Sequence, residues 1–463
     1  MGSLMTSLYT GASGIYVNQT GVQVTGNNIA NVNTAGYSKQ TAVVTSSQSL
    51  EQGGLLFGTG STVNSIARAG DVFITSQLVS QSAIYGEYEA GNTPLSDIEQ
   101  ILDISDTSLS ADIDTFFNSW ETLSSNPAGT TERQQVLLEA EDLADRFNQI
   151  DQQLTAVVDS INNSIESLIP TLNEELQQIA EYNRSIMQAE VTGNNANTMK
   201  DQRDLLVQQV SESCGATLYS DGSGMTCMQL ENGLPLVTGS VASTFSVERT
   251  DGLAQVTLRS GQSDFSLVGE DFGGTLKGLH TVRDEIIPEI QDDIDRLAYE
   301  IATAVNTLHT TGIDQDGASG TDLYTLAAPT DPLASAWEGA AASISLNFDD
   351  PALIAAGTSG LSGDNSLALS IADLRETESI DGSTYSGEYA RIAAKVGLLV
   401  SSNEQKLSDS TEYLNELTTK QDSITGVSTD EEMLLLIQYQ TGYEAASTYL
   451  AVVKEMLETL MQI

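Results

Sequence analysis

The acidic stretch "DQDGASGTDLY", residues 314–324, combines residue types and spacing that resemble a metal site. Asp314 and Asp316 stand at the first two ligand positions of a helix–loop–helix calcium site. However, the third ligand position is Ala318, and Thr325 occupies the twelfth, where such loops carry a bidentate Glu. The pattern therefore predicts a turn, with weak calcium binding as the alternative.

Few other residues could support catalysis. Two histidines, His280 and His309, are too little material for a His-rich metal site or a conventional catalytic triad. Asp201 and Asp204 in "DQRD" indicate a solvated helix face with local ion pairs rather than acid–base chemistry. The sequence has no phosphate-binding loop, no GxSxG or HExxH motif and no paired CxxC. We therefore expect neither an enzyme nor a bound cofactor or metal.

The cysteines Cys214 and Cys227 lie in one short region. They could form a disulfide if the protein ends up outside the cell, and two free thiols are the equal alternative.

Charge excludes further classes of function. The formal net charge is −46, from 64 acidic and 18 basic residues, and this field repels nucleic acids and anionic lipid. No apolar run reaches the length of a membrane span, and the first basic residue is Lys39, so we expect no cleaved signal peptide. Lys39 is also the single charged side chain in residues 1–50. A segment this neutral on so acidic a protein indicates packing against a partner.

The N-terminal segment carries a heptad stripe, which predicts a helix with one apolar side. Gly11, Gly14, Gly21 and Gly26 interrupt it, and each glycine costs about 0.5–1 kcal/mol relative to Ala in a helix interior. Such a helix needs a partner. The residues predicted to mediate assembly are Leu4, Leu8, Ile15, Val22 and Ile29.

The C-terminal segment offers that partner, because its apolar residues recur in steps of three and four to the end of the chain. Thr429 and Glu432 form a predicted capping box at its start. A second stripe, which includes Tyr449, Met456 and Ile463, lies beside the first. An ordinary amphipathic helix is the alternative to a coiled coil. The first stripe, also predicted to mediate assembly, is Leu436, Tyr439, Tyr443, Ala446, Leu450, Val453, Leu457 and Leu460.

Between the ends, helical periodicity runs from Val136 to Ile186, and Pro170 is expected to kink or split that helix. Short alternating runs between Gly- and Asn-rich turns predict an inserted β-domain. The predicted fold class is mainly α with inserted β, with the terminal helices paired as a coiled coil. The expected domains are 1–60 with 429–463 for assembly, a helical-bundle rod of 61–212 with 274–310 and 386–428, the β-domain 213–273, and a looser insertion 311–385.

Two terminal motifs resemble one family. "NNIANVNTAGYSKQ", residues 27–40, is similar to the N-terminal signature of the flagellar rod, hook and hook-associated proteins. "QYQTGYEAASTYLAVVKEMLETLMQI", residues 438–463, resembles their C-terminal motif. "KDQRDLLVQQVSE" (200–212) and "ENGLPLVTG" (231–239) resemble segments of the hook-associated members. The N-terminal motif residues are Asn27, Asn28, Ala30, Asn31, Asn33, Thr34, Gly36 and Tyr37.

The resemblance implies a structural subunit at the junction between the flagellar hook and filament. It implies a ring of copies of this chain, contacts with the hook protein and with a second junction protein, and a cytoplasmic export chaperone on the C-terminal segment. It also implies an extracellular location, reached through the flagellar channel without a cleaved signal. In the family, the terminal helices tend to be disordered until assembly. A hook or distal-rod subunit is the alternative, and a secreted adhesin or enzyme with activity in the insertions is the more distant one.

Overall fold

Long helices dominate the computed structural model, which describes residues 2–52, 54–103, 108–222, 224–329 and 333–461. Small antiparallel sheets are inserted between the helices, so the predicted fold class is confirmed. Met1, Gln462 and Ile463, which the predicted terminal domain includes, lie outside the described residues. The helices are α1 Gly2–Ala30, α2 Val72–Ile101, α3 Leu109–Ser125, α4 Thr130–Val191, α5 Asn197–Cys214, α6 Gly274–Thr281, α7 Ile287–His309, α8 Ala340–Ser343, α9 Ser366–Ala372, α10 Tyr385–Thr425 and α11 Thr429–Met461.

Helix α4 is the central element of the core. Its buried residues follow the predicted steps of three and four from Val136 to Ile186. Pro170 lies within the helix and does not split it. An internal proline costs about 3 kcal/mol, and the neighbouring Ile169 and Leu172, which are 3% and 0% exposed, pack into the core and offset that cost.

The strands form five small antiparallel sheets among the described residues. Strands β5 to β8 form one sheet and strands β9 to β11 a second, both within residues 213–273. The strands are β1 Gln40–Ser46, β2 Leu50–Gln52, β3 Leu55–Phe57, β4 Ser61–Arg68, β5 Thr217–Tyr219, β6 Cys227–Gln229, β7 Pro235–Thr238, β8 Val241–Ala242, β9 Thr244–Thr250, β10 Leu253–Ser260, β11 Ser263–Leu267, β12 Tyr324–Thr325 and β13 Ser345–Leu346.

Side-chain amides attach the inserted sheets to α4. Each amide donates through Nδ2 to a backbone carbonyl and accepts an N–H bond through Oδ1, so it acts as a substitute peptide unit at a strand edge. These bonds are neutral, and therefore hold the sheets without adding charge to an acidic chain. The pairs are Asn162 with Gly252 and Ala254, Asn173 with Phe245, and Asn183 with Thr226.

The second insertion, 311–385, is tied to the end of α7 in the same manner. Asn306 Nδ2 donates to the Tyr324 carbonyl at 2.8 Å, and its Oδ1 accepts the Leu323 N–H at 2.8 Å. The buried His309 accepts the Ala355 N–H through Nε2 at 3.0 Å. These bonds connect the insertion to the helical core. The division of the chain into four domains remains a prediction.

The sequence reasoning missed one element, a long β-hairpin between α1 and α2. Strands β1 and β4 pair from Gln40 with Arg68 to Ser46 with Ser61, and β2 pairs with β3 farther out. The hairpin packs against α1, where the Ser61 N–H donates to Ser13 Oγ at 3.3 Å.

A candidate assembly site at the paired terminal helices

Helices α1 and α11 run antiparallel and in contact along most of their length. A Cβ placed on Gly11 would lie 2.9 Å from Leu450, and one on Gly14 would lie 3.3 Å from Ala446. Farther along α1, the corresponding contact of Gly21 is with Tyr439. Each step toward the end of α1 thus corresponds to an equal step toward the start of α11. We call this pair of helices the terminal arm.

Small and polar residues form a contact line on α1. Gly11, Gly14, Asn18, Gly21, Thr25 and Asn28 follow one another in steps of three and four, which is the period of a coiled-coil seam. A Cβ on Gly21 would lie only 2.5 Å from the Tyr439 ring, and one on Gly442 would lie 2.4 Å from Asn18 Oδ1. The glycines that weaken α1 as an isolated helix therefore allow α11 to approach closely.

Of the residues predicted to mediate assembly, Tyr439, Ala446 and Leu450 on α11 face the glycines of α1 in this seam. Leu4, Leu8, Ile15, Val22 and Ile29 are half-buried. On α11, Val453 is buried, whereas Tyr443 and Leu460 are 42% and 57% exposed. Their role in assembly remains a prediction. The other five predicted residues of α11 are half-buried: Leu436, Tyr439, Ala446, Leu450 and Leu457.

Asn28 is the centre of the joint at which the arm meets the rest of the chain, which we call the body. Its side chain is 1% exposed and makes four hydrogen bonds. Nδ2 donates to the Gln40 carbonyl at 2.9 Å and to Glu432 Oε2 at 3.0 Å. Oδ1 accepts from the Tyr37 hydroxyl at 2.8 Å and from the Gln40 N–H at 3.0 Å. One amide therefore links the end of α1, the start of the hairpin and the start of α11.

Glu432 supplies the carboxylate of this joint and is not part of a capping box. Helix α11 begins at Thr429, so Ser428 is its cap, and Ser428 Oγ accepts the Glu431 N–H at 3.5 Å. The predicted Thr429–Glu432 box is therefore wrong by one residue. The Glu432 side chain is 1% exposed, and Lys39 Nζ lies 3.4 Å from Oε1 and 3.1 Å from Glu431. Although desolvation lowers it, the pKa of Lys39 is raised overall by these two carboxylates.

A second cluster fixes the loop after α1 to helix α5. Arg68 pairs with Asp201 at 2.8 Å and with Asp204 at 2.7 Å, and its Nε also donates to Ser38 Oγ at 3.2 Å. Burial raises the pKa of the Asp201 carboxyl, and the Arg68 guanidinium opposes that shift. Burial, with the charges of Asp201 and Glu432, raises the pKa of Tyr37 to about 12. The "DQRD" carboxylates thus make ion pairs, as predicted, but the predicted solvated face is wrong for Asp201, which is buried.

The other motif residues face outward or stabilise the turn. Asn31 Nδ2 donates to the Asn27 carbonyl at 2.9 Å, and Thr34 donates to Asn31 Oδ1 at 3.3 Å. Gly36 has a φ of +73°, which favours glycine. Ala30, Asn27, Asn33, Thr34 and Gly36 are exposed. The turn borders a cleft of about 810 Å³ that also reaches α5 and the end of α10.

The remaining candidate sites are structural. Asp314 Oδ1 accepts the N–H groups of Asp316 and Ala318 at 3.0 and 2.8 Å, which makes a turn. Cys214 and Cys227 are both buried and free, so the structure has the thiol alternative, and burial raises the pKa of Cys214 to about 12. The described part of the chain contains no group of three or more metal-ligating side chains. No helix in that part is long and apolar enough to cross a membrane.

Three family models match the chain. "Flagellar hook-associated protein FlgK helical domain" matches residues 95–324, "Flagellar basal body rod FlgEFG protein C-terminal" matches 423–463, and "Flagella basal body rod protein" matches 8–37. The last two fall on the arm, and the first falls on the body. The chain belongs to the flagellar hook-associated protein family. Members of this family are structural components of the flagellum.

Curated relatives of the hook-associated family match along the chain. Flagellar hook-associated protein 1 of Bacillus subtilis is 26% identical, over 100% of this chain and 98% of its own. The proteins of the same name from Salmonella typhimurium and Escherichia coli are 32% and 30% identical over 70% of this chain. The matched part spans 60% and 61% of those two relatives.

A solved structure has a similar fold. It is the flagellar hook junction protein FlgK from Burkholderia pseudomallei, with a TM-score of 0.69, 16% sequence identity, and coverage of 76% of this chain and 100% of that one. At this identity, the similarity concerns the fold.

Proposed function

We propose that this protein is the structural subunit that forms the junction between the flagellar hook and the filament, and that it assembles through its terminal arm. The single observation that carries the proposal is the pairing of a charge-free helix α1 with α11 at a joint built from the family motif. The hook-associated protein 1 name shared by the relatives supports the junction over a hook or distal-rod subunit.

The partners follow from the same proposal. Copies of this chain form a ring, with the hook protein on one side and a second junction protein on the other. The chain reaches this extracellular site through the flagellar channel without a cleaved signal peptide. A cytoplasmic chaperone holds the C-terminal segment until export. The protein performs no catalysis in this role.

The neutrality of α1 is what allows arms to pack side by side through that helix. Helix α1 has no charged side chain, whereas the whole chain carries a net charge of −46. Like charges brought to about 4 Å repel by roughly 1 kcal/mol even in bulk water and by more at an interface. A ring of acidic bodies therefore needs a neutral contact surface, and exposed apolar residues of α1 such as Tyr9 and Tyr16, at 62% and 61% exposure, provide one.

The test places charge on that surface. The double variant Tyr9→Glu with Tyr16→Glu should leave a soluble, folded monomer, because both side chains are already exposed. It should fail to restore filaments in a strain that makes hooks but sheds unpolymerised filament subunits. The matched control is Leu398→Glu with Tyr413→Glu on α10, which are 72% and 43% exposed on the body. Normal filament assembly by the variant with Tyr9→Glu and Tyr16→Glu would refute the proposal.

The same strain separates the rival functions. If the protein is a hook or distal-rod subunit, its unmodified chain would not restore filaments in this strain. A secreted adhesin or enzyme would instead show glycan binding or hydrolysis when purified, and would not restore the junction.

A further inference from the structure

The outer end of the β-hairpin carries an apolar surface that the described part of the chain leaves exposed. Leu50, Leu55, Leu56 and Phe57 are 50%, 64%, 74% and 47% exposed. Leu50 pairs with Phe57 and Gln52 with Leu55, so Leu50, Leu55 and Phe57 share one face, whereas Leu56 lies on the other face opposite Glu51. An isolated two-stranded hairpin is at most marginally stable in water. This group, which we call the hairpin tip, therefore needs a partner surface.

The hairpin runs alongside α1, and this determines the position of the tip along the axis of the arm, which we call its height. Gln40 lies at the joint beside Asn28, and Ser61, opposite Ser46, bonds Ser13. From residue 28 to 13 the helix axis rises by roughly 22 Å at 1.5 Å per residue. Strand β1 and the next residue cover about 23 Å at 3.3 Å per residue, so the hairpin and α1 run alongside each other.

The pairing of the two strands continues past this point. The Ser47 N–H donates to the Gly60 carbonyl at 2.9 Å, and Leu50 pairs with Phe57 beyond it. Three further residues add about 10 Å, which places the tip near the level of residue 6 of α1. In the antiparallel register of the arm, that level corresponds to about residue 454 of α11.

A charge-free apolar stripe lies on α11 at this level. Tyr449, Val452, Met456 and Leu460 are 43%, 45%, 53% and 57% exposed and follow one another in steps of three and four. At 100° per residue they occupy one sector of the helix. Of the charged residues of this stretch, Lys454 and Glu458 fall on the opposite sector, and Glu455 flanks the stripe about 60° from Val452. Among the described elements, α11 carries the most exposed large apolar side chains.

We propose that the hairpin tip of one copy docks on this stripe of α11 in a second copy. The inference rests on the proposed function, because it needs arms to stand side by side. The tip and the stripe lie at the same height, so rotation about the ring axis, without displacement along it, brings one to the other. The contact joins two different surfaces and is repeated by each copy, which is the type of contact that closes a ring.

Charge supports the same partner. From residue 40 to 67 the hairpin carries a single charged side chain, Glu51, which lies on the opposite face of the tip from Leu50, Leu55 and Phe57, and the stripe carries none. The bodies are acidic and show mostly isolated exposed apolar residues, such as Leu398. The neutral apolar face of the tip therefore matches the arm of a second copy better than its body.

Cross-linking between two variants, each with one introduced cysteine, tests the contact directly. Leu55→Cys and Met456→Cys chains, produced together in cells with assembled flagella, should give a disulfide-linked dimer that neither variant gives alone. The native Cys214 and Cys227 are buried and stay outside the reaction. Leu55→Cys produced with Leu398→Cys is the matched control and should give no dimer. A dimer with the body position, or none with Met456→Cys, would overturn the proposal.

A complementation experiment distinguishes failure of this inference from failure of the proposed function. The variant Leu55→Ser with Phe57→Ser should keep the thermal midpoint of the monomer and lower the fraction of hooks that carry a filament at least about tenfold, as expected for removal of an interface anchor. If the wild-type chain itself fails to restore filaments, the proposed function is wrong. If the wild type succeeds and the serine variant equals it, the docking of the tip is wrong.

Discussion

Replacing Gly21 by alanine adds one methyl group where α1 and α11 approach most closely. That carbon would lie 2.5 to 2.6 Å from three ring atoms of Tyr439, including Cγ at the base of the ring. Ordinary carbon contacts are about 3.5–4.0 Å. Rotation about χ2 does not move Cγ, so either Tyr439 must leave its χ1 rotamer or the two helices must separate by about 1 Å at this point.

Gly26→Ala is the matched control, because it lies in the same helix and no atom lies within 4 Å of the added carbon. Both variants gain about 1 kcal/mol of helix propensity. That gain cancels in the comparison, and the difference isolates the overlap with Tyr439. Overpacking of a tight contact costs about 1–3 kcal/mol, so we expect the arm of Gly21→Ala to be weaker than that of Gly26→Ala by this amount.

Amide hydrogen exchange is the suitable assay, because the arm can open without unfolding of the body. A difference of 1–3 kcal/mol corresponds to roughly 5- to 150-fold faster exchange of α1 amides in Gly21→Ala than in Gly26→Ala. Adding Tyr439→Ala to each variant removes the ring and should abolish the difference between them. Equal protection in the two single variants would refute the close packing of the glycine seam.

Two further predictions concern the joint and a buried carboxyl. Asn28→Ala leaves the buried Glu432 carboxylate and the Gln40 backbone without their partner, and should destabilise the arm by about 2–4 kcal/mol in hydrogen exchange; exposed Asn27→Ala should change it by no more than about 0.5 kcal/mol. Burial, with the charges of Glu212 and Glu174, raises the pKa of Glu175 to about 7 in the folded protein. The folded state therefore holds this proton more tightly than the unfolded state, and stability falls as pH rises from about 4.5 to about 7. Glu175→Gln should raise the unfolding free energy at pH 8 by on the order of 1–3 kcal/mol and leave it nearly unchanged at pH 5, in denaturant titrations; an equal change at both pH values would contradict the raised pKa.

Periodicity predicted the elements whose stability depends on apolar burial. Helix α4 follows the predicted stripe from Val136 to Ile186, and the terminal helices pair as predicted. The capping box failed by one residue because Thr429 and Ser428 are both acceptable caps, and the chain geometry before the helix decides between them.

The contact line of α1 could not be found from hydrophobicity. Gly11, Gly14 and Gly21 carry no side chain that an apolar count would register, and Asn18, Thr25 and Asn28 are polar. Their steps of three and four are nevertheless visible in the sequence, so small and polar residues at coiled-coil spacing were the available signal. The hairpin from Gln40 to Arg68 was missed because its exposed strands lack a clear alternation of apolar and polar residues.

The bond between Asn28 and Glu432 joins residues 404 positions apart. Closing a free loop of that length costs roughly 5 kcal/mol beyond a constant, so the arm gains from a body that has already brought its ends together. The body does this where the Lys39 N–H donates to the Thr425 carbonyl at 2.7 Å. Under the proposed export through the flagellar channel, a chain that is still inside the channel has one end missing and cannot form the arm. The order of folding therefore determines when assembly can begin. In this proposal, a chain acquires the surface that joins its neighbours only after it has left the channel completely and folded its body.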